Sequence, residues 1–271
     1  MESLHLSDRA VIALEGPQAR EFLGGLITNE FGALASGQAL YAALLAPQGK
    51  ILFDFLIAEG DGALLLDCEA ASAEALVKKL KQYRLRAKIE IAVRPQLGVY
   101  AGLIGRPGER AISFADPRLA ALPARSIGAV AEMPAGLAGP ALYHAARLKL
   151  GVPEGHDFGS DKIFALDAGL DELHAISFSK GCYIGQELTS RMKHRGTDRK
   201  RILLVSADEP LPPPGTNVMA GDVVLGEIVS VYDAKGFALV RLDRLEENKQ
   251  PTEAEKIPVV LQKPDWLNSD G

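Results

Sequence analysis

Apolar residues come in short runs along this chain, and the breaks between the runs are turn residues. VIALEG (residues 11–16) is one such run, ending in glycine. The following PQAREFLGGLI opens with a proline suited to the first turn of a helix, with Phe22, Leu23 and Leu26 on its apolar side. The pattern predicts strand, turn, helix. In ALYAALLAPQGKILFDFLIAEGDGALLLDCEA, PQGK and EGDG separate three apolar runs, which predicts consecutive antiparallel strands. ASAEALVKKLKQY is alanine-rich, with Ala75, Leu76 and Leu80 at helical spacing. LRAKIEIAVRP and QLGVYAGLIG return to strand-like runs.

Residues 105–140 are rich in Gly, Pro and Ala, with DPR at 116–118 as a turn, and predict several short elements joined by loops. ALYHAARLKLG (141–151) is helical in period and stops at Gly151, with Pro153 just beyond. QELTSRM (186–192) predicts another helix, and RKRILLVSA a strand. After the proline-rich bend PLPPPG, VVLGEIVSVYDAKGFALVRL alternates as a hairpin turning at DAKG. IPVVLQK reads as a final strand and PDWLNSDG as a fraying tail, with Trp266 a packing anchor. The spacing of short strands predicts a C-terminal β-barrel or sandwich. We place its boundary near Asp198, giving domains 1–197 and 198–271.

The 271 residues are 47% hydrophobic, enough for more than one core. A net charge of -5 argues against a nucleic-acid coat. The N-terminus lacks the basic and apolar regions of a secretory signal, and no apolar run is long enough to span a membrane. The expected location is cytoplasmic, where Cys68 and Cys182 stay as thiols. Without CxxC or HExxH spacing, the chain is not expected to hold a zinc site or an iron–sulfur cluster alone.

Cys182 has the most distinctive setting, in KGCYIGQE. Gly181 and Gly185 permit φ > 0 or close approach, while Lys180 and the downstream arginines favour a thiolate. A reactive exposed thiol and a small buried residue in a glycine turn both fit. Of the five histidines, His194 is nearest in sequence, but its spacing does not direct it back to Cys182. Basic clusters at 78–88 and 190–201 could meet a polyanionic ligand or an acidic partner or serve as solvated faces, and RNA is disfavoured because interleaved aromatics are nearly absent. Alternation puts Leu52, Asp54 and Leu56 on one strand face, where a carboxylate is desolvated unless paired. Asn29, in LITNEF, is a ligand-facing amide or a turn residue; Cys68 belongs to a core.

KGCYIGQE, with LDELHAISFS before it and RKRILLV after it, closely resembles the signature of the YgfZ family of folate-binding-like proteins, relatives of the glycine-cleavage aminomethyltransferase. The likeness extends through FLGGLITNE (22–30), YAALLAPQGKILFDF (41–55), YRLRAKIEI (83–91) and RLKLGVPEG (147–155). It is nearer the branch whose mitochondrial members help mature iron–sulfur proteins. The resemblance implies an α+β fold: a folate-binding core of two pseudo-repeated α+β halves, plus a C-terminal β-barrel. It also implies a role in assembling or repairing [4Fe-4S] proteins with tetrahydrofolate as ligand. The family's cysteine and lysine fall on Cys182 and Lys180, with Gln186 and Glu187 completing the motif. Folate-side positions fall on Asn29 and Asp54, with Gln186, Glu187 and Arg191 beside them.

Two departures argue against conventional aminomethyl transfer. Phe53-Asp54 stands where the transferases have adjacent aspartates, and Lys149 replaces the glutamate of their RLExG segment. A pterin edge that needs a carboxylate acceptor is not served by an ammonium. The expectation is an accessory protein in which Cys182 is a cluster ligand shared with a partner such as an A-type cluster carrier. A folate-dependent one-carbon transferase and a plain scaffold are the alternatives.

Overall fold

The computed structural model describes residues 4–32, 34, 37–102, 111–132, 137–195 and 200–268. Asp198, where the sequence placed a boundary, and part of the second basic cluster lie outside them. The chain forms two compact units, each drawn from separate stretches. The first comprises 1–45, 52–146 and 173–184; the second comprises 46–51, 147–172 and 185–271.

In the first unit the predicted run of strands forms as β2 (Arg9–Glu15), β3 (Ala39–Leu45), β4 (Ile51–Gly60) and β5 (Ala63–Glu69), joined by β6 (Glu90–Val93) in the order β3-β4-β5-β2-β6. The EGDG turn closes as expected, with Asp61 and Gly62 both at positive φ. Helices α1 (Ala19–Gly24) and α2 (Ala73–Tyr83) cover this sheet. The buried stripe of α2 is Ala73, Leu76, Val77 and Leu80. Ala75, expected on that face, is exposed. A second sheet, in the order β1-β7-β9-β8, combines β1 (Leu4–His5), β7 (Leu97–Ala101), β8 (Ile112–Phe114) and β9 (Arg125–Ala129).

α3 (Ala141–Leu150) ends at Gly151, whose φ of +70° supplies the left-handed residue that stops a helix. α4 (Gln186–Arg195) begins where the motif predicts. The second unit's sheet runs β15-β14-β11-β12-β13-β10-β16. Its strands are β10 (Lys200–Ser206), β11 (Asn217–Ala220), β12 (Val223–Tyr232), β13 (Lys235–Arg241), β14 (Thr252–Ala254), β15 (Ile257–Pro258) and β16 (Val260–Gln262), with α5 (Leu242–Glu247) between β13 and β14. β14 and β16 lie near each other, so the sheet almost closes around Leu203, Val218, Ile228 and Val240. In the β12–β13 hairpin a Cβ on Gly236 would sit 2.1 Å from the Ser230 carbonyl oxygen, so glycine is required for the close approach.

Two expectations change. IPVVLQK forms two short strands rather than one, because Val259 donates its N–H to Thr252 O between them. The tail is not frayed through residue 268: Asp265–Asn268 makes a short 3-10 turn, and Trp266, packed as expected, donates from Nε1 to Leu150 O at 3.0 Å.

Candidate functional site

Cys182 is exposed, and Cys68 is buried on β5. Burial pushes the Cys68 thiol up to about 12, which leaves it protonated and inert. The segment carrying Cys182 is irregular, yet it is tied to residues 24–29 bond by bond. Thr28 Oγ1 donates to Ala175 O at 2.6 Å, and Ser177 N donates to Thr28 O at 3.0 Å. Asn29 Nδ2 donates to Tyr41 O at 2.9 Å and His174 O at 2.7 Å. Lys180 Nζ donates to the carbonyls of Gly24, Ile27 and Asn29 at 2.7, 2.7 and 2.9 Å.

These contacts show how the predicted residues are used. Asn29 gives both amide hydrogens to its own chain. Lys180 directs its three hydrogens at peptide oxygens and lies 5.2 Å from the ring centre of Tyr183. Its ammonium is thus held by residues 24–29 and faces the ring of Tyr183, the residue after Cys182. Burial pushes its pKa down to about 8, against the pull of Glu30. Of the two motif glycines, Gly185 has positive φ (+84°), while Gly181 does not. A Cβ on Gly181 would meet nothing within 4 Å, so the chain beside Cys182 runs through open space.

Asp54 is buried on β4 as burial logic predicted, and it accepts from Tyr41 Oη at 3.0 Å. Tyr41 in turn lies under the Arg118 guanidinium, 5.4 Å from ring centre to Cζ. Arg118 and Arg125 belong to a buried network with Asp116, Asp67 and Tyr143. Arg9 completes it through Asp67 at 2.6 Å. Burial pushes Asp116 up, but the adjacent Arg118 and Arg125 hold it below its ordinary 3.8. Sequence reading missed this network, since its members meet only through the two sheets of the unit.

The division between units falls between Ile184 and Gly185, so Gln186, Glu187 and Arg191 are described with the second unit. Glu187 and Arg191 are exposed on α4 and pair with each other four residues apart. Lys149 is exposed on α3, whereas Arg147, two residues earlier, is fully buried. Arg147 bonds Asp157 Oδ2 at 2.7 Å, Val152 O at 3.1 Å and the Tyr232 hydroxyl.

The fold resembles the crystal structure of glycine cleavage system aminomethyltransferase T from Bartonella henselae, at a TM-score of 0.76 with 16% identity, over 97% of this chain and 85% of that one. The likeness bears out the α+β core and C-terminal barrel expected from the sequence. Residues 199–269 match the family described as CAF17, C-terminal beta-barrel domain. Relatives named "Iron-sulfur cluster assembly factor IBA57, mitochondrial" are 32% identical in Mus musculus and 33% identical in Homo sapiens. Each alignment spans 96% of this chain and 84% of the relative. These names correct the expected cytoplasmic location, since they place the relatives in mitochondria. With a shared fold and this identity over nearly its whole length, the chain belongs to the IBA57 family of iron–sulfur cluster assembly factors.

Proposed function

We propose that the chain assists the assembly of iron–sulfur clusters on [4Fe-4S] proteins, with the Cys182 thiolate contacting cluster iron at an interface where a carrier of the A type supplies the remaining ligands. The observation that carries this reading is the contrast between the two thiols. Cys182 is exposed on a segment tied down by Thr28, Asn29 and Lys180, beside the open space at Gly181. Iron–sulfur clusters commonly take four protein thiolates, so one accessible cysteine suits a shared cluster.

The test is anaerobic reconstitution with an A-type carrier, followed by absorption and by the mass of the complex. Wild type is expected to give a cluster band in a mixed complex, and Cys182→Ser to give neither. A complex and band undiminished in Cys182→Ser would sink the reading.

A reduced folate is the second part of the proposal. Among the residues the resemblance implies, Asp54 fits a pterin edge chemically, as a carboxylate that accepts N–H donors. Asn29 does not, because its own carbonyl partners use its amide hydrogens. Tetrahydrofolate binding is expected to weaken in Asp54→Asn; equal binding by wild type and variant removes Asp54 from this role.

A further inference from the structure

The second unit contains a half-enclosed cavity of about 220 Å³, bounded by residues 156–163, the Pro214–Gly215 bend and strands β12 and β13. Pro214, Val229 and Leu239 give it accessible apolar surface. His156, Lys162 and Glu227 bring ionisable groups to its lining. None of them belongs to the Cys182 segment.

The imidazole is oriented by a chain of bonds that runs from the surface to the buried Arg147 and Asp157. Tyr232 Oη lies 2.6 Å from His156 Nε2 and 3.0 Å from Asp157 Oδ1, and it also contacts Arg147 Nη2. A phenol has one proton to donate and two lone pairs with which to accept. Arg147 can only donate. Asp157, fixed by Arg147 Nη1 at 2.7 Å and by Glu154 N at 3.0 Å, can only accept. Tyr232 therefore gives its proton to Asp157, and its remaining lone pair accepts from His156 Nε2–H. Burial and the Asp157 charge raise the Tyr232 pKa, so the phenol keeps that proton. Neutral His156 is consequently the Nε2–H tautomer, and protonation at Nδ1 leaves the bond to Tyr232 intact.

The lining carries both signs of charge over an apolar floor. A simple carboxylate would meet Glu227, and a simple amine would meet Lys162; a molecule bearing both groups satisfies both. The volume is about seven times water's share of the liquid, room for a small zwitterion carrying a short hydrocarbon side chain.

We propose that this cavity binds a free apolar α-amino acid, its carboxylate toward Lys162 and His156, its ammonium toward Glu227 and its side chain against Pro214, Val229 and Leu239. The test is an NMR titration of the full chain, following the His156 ring and the backbone amides of residues 156–163. The probes are leucine, leucinamide (no carboxylate) and 4-methylpentanoate (no ammonium).

Leucine is expected to give saturable shifts, and each analogue to bind about tenfold more weakly. Lys162→Ala should erase the preference for leucine over leucinamide, and Glu227→Gln the preference over 4-methylpentanoate. Both side chains are exposed, so both variants keep the fold. No saturable shift up to the solubility of leucine, or equal affinity for the three probes, overturns the proposal.

Discussion

Three peptide carbonyls converge on the Lys180 ammonium, so replacing the side chain strands all three at once. Lys180→Met is expected to lower stability by about 1.5–3 kcal/mol, the range for a bond to a charged group, read from urea unfolding. Gly181→Ala, next to it, should leave stability unchanged. Glu172 gives a pH signature of its own. Burial, a hydrogen bond from its proton to Asp171 and that neighbour's charge push its pKa up to about 7 from 4.5. Between those values the folded state holds a proton that the unfolded state releases. Its contribution is therefore complete below pH 4.5 and is lost as pH rises toward about 7. Glu172→Gln keeps a neutral side chain at every pH, so its unfolding free energy should show a shallower decline than wild type across that window. Parallel pH profiles for the two proteins would contradict the assignment.

At the scale of elements, legibility followed locality. PQGK, EGDG and DAKG each announced a turn in a few consecutive residues, and the β3–β4–β5 run and the β12–β13 hairpin formed where the sequence put them. β14 was not legible: it is three residues long, and Glu255 and Lys256 just after it both adopt positive φ. The same limit applies to the candidate site. KGCYIGQE marked Cys182, but the sequence did not reveal that Lys180 bonds to a segment some 150 residues away. Arg147 shows how α3, the following loop and β12 depend on one such distant contact. Arg147→Met leaves Asp157 buried without its counter-charge and should cost about 3–5 kcal/mol. Adding Asp157→Asn should recover part of that loss; denaturant midpoints of the single and double variants test the coupling.

Across the whole molecule, the chain passes from one unit to the other five times. Neither unit is a contiguous segment able to detach at one linker. Trp266, the only tryptophan, is buried in the second unit and reports that unit alone by fluorescence, whereas far-UV circular dichroism reports both. The two signals are expected to share one unfolding midpoint. Separate midpoints would mean that the units lose structure independently.

The inequality of the two thiols also gives the wild-type chain a built-in clock. A maleimide probe should attach promptly once, at Cys182. A second attachment must wait until the pairing of β2 with β5 opens around Cys68. The delay between the first and second adduct, followed by mass, therefore times the opening of the first unit's five-stranded sheet without any engineered label.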